Sequence, residues 1–270
     1  MHHETPQRIP AIFFGHGNPM YALQDNEYTD AWTRLGWSIP RPQAILAISA
    51  HWTTRGTAVT AMAAPKTIHD FGGFPQALFD VRYPAPGDPV LAARVRDVLA
   101  PVEVHLDHSW GLDHGVWSVL RKAYPEADVP VVQLSIDATQ PAVFHFELDQ
   151  RLALLRDEGV LIVGTGNVVH NLRMMHFGDA PPFDWALRFN DKIRASLEQG
   201  DVASLIDYAQ WGEDARLSAP TPEHFLPLLY IASTRHDDEP VSNPVDGIDG
   251  GAISMLTAVV GRWDGASGDR

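Results

Sequence analysis

The sequence predicts an α/β fold: a single domain with a mostly parallel central sheet covered by helices on both faces. Two observations predict it. Short apolar runs recur along the 270 residues, continuous rather than alternating, as strands buried on both faces must be. Stretches with helical caps and helical spacing lie between them, the order expected when parallel strands are joined by crossover helices.

Taken in order, AIFF (Ala11 to Phe14) and AILAISA (Ala44 to Ala50) are the first two strands. The stretch from Pro65 to Pro89 holds IHDFGGFP and YPAPGDP, too rich in Gly and Pro for helix or central strand, and reads as a long ordered loop of the functional kind. Asp88 and Pro89 cap and open a helix through Leu99, which Pro101 ends. VVQLSI (Val131 to Ile136) is a strand, and Thr139 with Pro141 precedes a helix that should stop at Gly159. VLIVG (Val160 to Gly164) is the next strand, Asp184 starts a helix that stops at Gly200, and AISMLTAVV (Ala252 to Val260) is the last strand. No linker or repeat interrupts residues 1–270, so one domain is expected, with residues 1–9 and 264–270 as flexible ends.

The formal charge of −14 has the wrong sign for binding nucleic acid or an anionic membrane. No apolar stretch is long enough to span a bilayer and the first residues lack an apolar signal core, which predicts a cytoplasmic protein. With no cysteine, any metal must be held by His, Asp or Glu. GTGNVV and GHGNPM match only the first two glycines of a dinucleotide fingerprint, and no P-loop, serine-hydrolase elbow or zincin motif is present.

In an open parallel sheet ligands bind beyond the carboxyl ends of the strands. Histidines stand there repeatedly: His16 after AIFFG, His51 after AILAISA, His170 after VLIVGTG. His224 follows Thr221 and Pro222, read as N-cap and first residue of a helix. Gly15, Gly17, Gly164 and Gly166 beside them permit close approach of backbone and ligand. His114 and His69, in Gly-rich loops, are candidates for lining a pocket, and Trp52 is a candidate wall for an aromatic ring. His2, His3, His105, His108, His145, His176 and His236 lack such settings.

The strings GHGNPM, RPQAILAISAHWTTRG, TIHDFGGFPQALFDVRYPAPG, GLDHGVWSVL, VVQLSID, GTGNVVHNLR and TPEHFLPLLY resemble the bacterial 4,5-DOPA extradiol dioxygenases. These belong to the class III extradiol ring-cleavage enzymes with a LigB-type catalytic subunit. The likeness runs from about Pro10 to Val260. It implies one non-haem metal ion per chain and cleavage of a catechol, L-DOPA by the family name, with O2. It puts His16, His51 and His224 on metal-ligand positions, His170 on a position that is a ligand in the subfamily and the catalytic base in the wider superfamily, and His114 beside the active site. The wider superfamily carries a glutamate as third ligand, and Glu223 adjoins His224.

Binding both catechol oxygens and O2 needs three open positions on a six-coordinate ion, so three ligands fit and four do not. Fe(II) on His16, His51 and His224 is therefore expected for activity, with His170 as base; four histidines around Zn(II) would make a closed site, the form expected in purified or crystallised protein. His114 is expected to hydrogen-bond oxygen as charge develops on it, with Asp113 fixing its tautomer. Two alternatives are a zinc hydrolase on the same histidines and a memo-type binding protein without activity. Arg55 and Arg82 are placed by their loops as contacts for the substrate side chain or as surface residues, and a monomer or a homodimer fits the composition.

Overall fold

The computed structural model describes residues 8–176 and 181–264. Its strands are β1 (Ala11–Gly15), β2 (Ala44–Thr54), β3 (Thr57–Thr60), β4 (Val104–Asp107), β5 (Val131–Asp137), β6 (Val160–Gly166), β7 (Val241–Val245), β8 (Ile248–Asp249), β9 (Ile253–Ser254) and β10 (Thr257–Val260). Eight of them join one sheet in the order β4-β3-β5-β2-β6-β1-β10-β7, while β8 and β9 pair separately. The four inner strands β5, β2, β6 and β1 run parallel and contain four of the five apolar runs read as buried strands. The margins turn back: β3 is antiparallel to β5, and β10 is antiparallel to β1 and β7. The run from Ala252 to Val260 is thus two short strands rather than one, and its sheet strand is antiparallel. Gly56, at φ +82°, supplies the tight reversal that sends β3 back along β5.

Side chains alternate across the sheet, so each inner strand feeds two cores. Phe13, Leu46 and Ile48 enter one core with the helices Pro89–Leu99, Asp184–Gln199 and Leu226–Ser233; Ile12, Phe14, Ile45 and Ala47 enter the other with Glu27–Ser38 and His114–Ala123. The helix at Pro89 begins as its sequence dictates, Asp88 Oδ1 accepting from the N–H groups of Val90 and Leu91 at 2.9 Å each. The helix expected from Pro141 to Gly159 is instead two, Ala142–Asp149 and Ala153–Asp157. Thr139 does not cap it, because its N–H and hydroxyl both bond Asp137, and Arg151 in the break donates to the carbonyls of Leu99 and Ala100. His145 is fully buried within the first of the two, Nδ1 lying 2.8 Å from the Tyr230 hydroxyl.

Of the expected flexible ends, residues 1–7 and 265–270 lie outside the described residues. Residues 8 and 9 are packed, because they form part of a buried ionic knot. Arg156, with no exposed surface, donates to Ile9 O at 2.8 Å, to Thr234 O at 2.6 Å and to both oxygens of Glu239 at 2.8 and 2.7 Å. Burial alone would raise the Glu239 carboxyl, but the Arg156 bonds outweigh it and hold it below its ordinary value.

Removing one partner strands the other charge in the interior, so Arg156→Ala is expected to cost about 3 to 5 kcal/mol of unfolding free energy. Glu239→Gln should cost less and in a pH-dependent way. The depressed carboxyl contributes fully above its unfolded value of about 4.5 and loses that contribution as pH falls through the lower folded value. Urea denaturation should therefore show wild type and Glu239→Gln converging as pH drops below the carboxylate range.

Candidate metal centre

The carboxyl ends of β1, β2 and β6 meet at one edge of the sheet. His16 follows β1 directly, and its N–H donates to Gly166 O at 3.1 Å, which ties the end of β1 to the end of β6. His51 lies within β2 where pairing to β5 loses register between Ile48 and Thr53, an irregularity of the kind that re-aims a side chain. His224 stands in the turn before the helix Leu226–Ser233, not in that helix's first turn as expected. The Pro222 carbonyl accepts from both Phe225 and Leu226, and the Thr221 hydroxyl bonds Glu223 rather than capping backbone. The glycines predicted to allow close approach do so for the chain itself: a side chain on Gly15 would meet the Met255 backbone at 2.7 Å, and one on Gly166 would strike the His224 carbonyl.

These elements bring ring nitrogens of His16, His51 and His224 within 4.8 Å of one another. His16 Nε2 and His51 Nε2 are 3.2 Å apart. Both ring nitrogens of His224 and the Nδ1 of His16 are buried with no hydrogen-bond partner among the described residues, so none of these nitrogens is committed to another group of the protein. Burial first, then mutual repulsion among the rings, holds His16 and His224 far below the ordinary histidine range. His51 falls to about 3 for the same reasons, burial ahead of repulsion from His114, with Asp70 opposing. Neutral, desolvated imidazoles with unpaired nitrogens fit a borderline transition metal ion, and the all-nitrogen donor set is too soft for calcium or magnesium.

His170 joins this cluster differently. Its ring lies flat on His224, centroids 3.5 Å apart and planes 6° from parallel, and its nitrogens fall outside the convergent set. Burial lowers it to about 4, with Glu223 opposing. Glu223 lines a separate cavity with Thr221 and Pro222, while its Oε1 stands 3.6 Å from His224 Nδ1. His114 packs against His51 at a centroid distance of 3.9 Å.

Asp70 organises two of these rings and was not singled out in the sequence. Its Oδ1 accepts from the His114 N–H at 3.0 Å and lies 2.9 Å from His114 Nδ1; its Oδ2 lies 3.4 Å from His51 Nδ1. Held on that side, His51 turns Nε2 toward His16, the outer-shell arrangement that orients ligating histidines. Burial would raise the Asp70 carboxyl, but its contacts to His114 and His51 win and lower it. Asp113, expected beside the His114 ring, turns inward instead, accepting from Ser49 Oγ at 2.7 Å, from the Val116 N–H at 3.3 Å and from Gln133 Nε2. It caps the helix His114–Ala123, and burial followed by the charge of Asp70 raises its carboxyl.

The histidines open into a cavity of about 550 Å³ walled by Phe71, Phe74, Leu172, Met175 and Ile253. His69 does not face it, because Nε2 donates to Val81 O at 3.1 Å and the ring packs beside Trp117. Trp52 does not face it either: it follows His51 in a strand, points to the opposite side and stacks on Trp110 at 5.6 Å. Phe71 and Phe74, which follow His69 in the FGGF of that Gly-rich loop, supply the aromatic wall. Arg82 donates to the carbonyls of Phe79 and Val81, and neither Arg82 nor Arg55 lines the cavity.

A mostly parallel α/β sheet that converges histidines at its carboxyl edge, under an aromatic pocket, defines a metal-dependent enzyme of the α/β class. Comparison with known proteins narrows the class. Residues 10–244 match the catalytic LigB subunit of aromatic ring-opening dioxygenases, and the chain belongs to that family. It is 55% identical over 259 residues to a 4,5-DOPA dioxygenase extradiol of Escherichia coli K12, covering 94% of this chain and 95% of that protein. A protein of the same name from Beta vulgaris is 37% identical over 254 residues, covering 90% and 93%. A crystal structure of an uncharacterized Escherichia coli K12 protein superimposes with a TM-score of 0.84 at 50% identity, covering 94% of this chain and all of that one. The chain is thus an oxidoreductase of the extradiol dioxygenase type. No helix among the described residues is long and apolar enough to cross a membrane.

Because Asp70 orients His51 and His114 without entering the convergent set, Asp70→Asn is expected to weaken metal binding about 10- to 100-fold. Competition against a chromophoric chelator measures it, and unchanged affinity would remove Asp70 from the centre.

Proposed function

We propose that this chain cleaves a catechol of the L-DOPA type at the 4,5 bond, using non-haem Fe(II) held by His16, His51 and His224. The observation that carries the reading is the convergence of ring nitrogens from His16, His51 and His224 beside an aromatic-walled cavity, in a chain of the ring-opening dioxygenase family. The names of the Escherichia coli and Beta vulgaris relatives support DOPA as the substrate. Zn(II) is expected to fill the same set in protein purified without iron.

When bound, a redox-active ion there offers positions for both catechol oxygens and for O2 together. The chain's own groups do the rest. His170, stacked on His224 at the cavity wall, takes the proton from a catechol hydroxyl at a ring nitrogen and returns it to oxygen as the ring opens. His114 sets Nδ1 against Asp70, which places the Nδ1 proton there, so it donates from Nε2 to oxygen as negative charge develops only in the form protonated on both ring nitrogens. Phe71 and Phe74 hold the ring and exclude water. The ring carbon–carbon bond beside the two hydroxyls breaks and both atoms of O2 enter the product, so O2 and catechol are consumed one to one without an external reductant.

Metal-stripped protein loaded anaerobically with Fe(II), given L-DOPA and then O2, should take up oxygen in step with a yellow ring-opened product, while a zinc-loaded sample should not. Turnover that is independent of O2 would favour a zinc hydrolase, and confirmed iron occupancy with no catechol turnover would overturn the dioxygenase. His170→Gln is expected to keep bound iron and lose about 100-fold or more in kcat, whereas His16→Ala, His51→Ala or His224→Ala should lose the iron.

A further inference from the structure

The cavity has a second polar end. The short hairpin of β8 and β9 forms part of its wall, with Ile253 bridged to His170 and Asp249 paired to Ile253 across the hairpin. Two such steps put the Asp249 backbone on the order of 10 Å from that of His170, about the reach of an aromatic ring carrying a short side arm. Among the described residues lining the cavity, Asp249 is the carboxylate, and none is Lys or Arg.

Asp249 is held in place. Its Oδ2 accepts from the Tyr21 hydroxyl at 2.8 Å, and Tyr21 belongs to the turn Pro19–Leu23 that follows the His16 loop. Burial and this bond to Asp249 push the Tyr21 phenol up, as expected where it donates to an ionised partner. No hydrogen bond from the described residues reaches Oδ1. A carboxylate with one oxygen anchored and one with no hydrogen bond from the described residues, lining the same mostly apolar cavity as the histidine cluster, is suited to receive a cation.

We propose that Asp249 reads the substrate's side chain: Oδ1 accepts a charge-assisted hydrogen bond from the ammonium of a catechol bearing a cationic amine arm. The site then selects catecholic amines and amino acids over catecholic acids. An amino acid's carboxylate points outward to solvent, since no cationic side chain among the described lining residues meets it. The assignment rests on the catechol reading above.

The test is an anaerobic equilibrium titration of iron-loaded protein with dopamine, 3-(3,4-dihydroxyphenyl)propionate and neutral 4-methylcatechol. Wild type is expected to bind dopamine about 10- to 100-fold more tightly than the propionate, the span of one charged hydrogen bond. Asp249→Asn should bring that ratio close to one, and Asp249→Lys should invert it, which a merely structural role cannot do. An unchanged ratio in Asp249→Asn, or an equal loss of affinity for all three catechols, overturns the assignment. Oxygen uptake with the same compounds reads the reaction separately: an amine preference lost in Asp249→Asn without turnover of any catechol upholds Asp249 and sinks the dioxygenase reading.

Discussion

Three imidazoles cannot share one buried point while protonated. Whatever occupies the carboxyl edge of the inner strands must accept neutral rings with their lone pairs turned inward, and His16, His51 and His224 are kept in that state by burial and by one another. Much of the surrounding structure serves to hold this unfavourable gathering together. The parallel strands fix two of the rings from below, Gly15 lets the end of β1 lie against the backbone at Met255, and Gly166 lets the end of β6 lie against the His224 carbonyl, closer than a side chain would allow. Asp70 supplies a negative charge placed against the outer nitrogens of His51 and His114, so that it orients those two rings, while Glu223 stands beside His224.

The arrangement also separates roles by geometry. A ring stacked flat on a neighbour, as His170 is on His224, shares that neighbour's position while directing its nitrogens elsewhere. Two histidines packed within 3.5 Å of each other can in this way have different duties, one toward an ion and one toward a substrate proton. His114 completes the surround from the start of a helix whose cap, Asp113, is locked into the core by Ser49 and Gln133.

The inner sheet and the histidine cluster were legible in the sequence because both obey strong local rules. A strand buried on both faces has to be a continuous apolar run, and a polar residue directly after such a run has to stand at the ligand edge. The margins were not legible: β3, β4 and β7 are short and partly polar, and pairing across the sheet rather than local pattern makes them strands. Loop residues divided in the same way. In the HDFGGF segment histidine is the residue type best suited to metal or proton chemistry, yet His69 is committed to Val81 and the groups that reach the site are Asp70 and Phe71 beside it. Asp113 adjoins His114 in sequence, but a helix cap faces its own backbone, and the carboxylate that reaches the ring, Asp70, is remote in sequence. Nothing local marks Asp249, which gains its place through a hairpin more than 200 residues from the loop whose tyrosine anchors it.

The lost register in β2 has a mechanical side. Pairing of β2 to β6 is regular through Ser49 and pairing to β5 through Ile48, and the ladder to β5 resumes only at Thr53. His51 therefore rides on a span whose backbone is stitched less tightly than the strand on either side, and its side-chain tethers do part of the work of the missing rungs. An ion bound between this span, the end of β1 and the turn before Leu226 closes that gap as a cross-link among three chain segments far apart in sequence. Amide hydrogens around residues 49–52 then exchange with solvent on a clock set by metal release, while those of Ile45 to Ile48 follow the unfolding of the sheet itself.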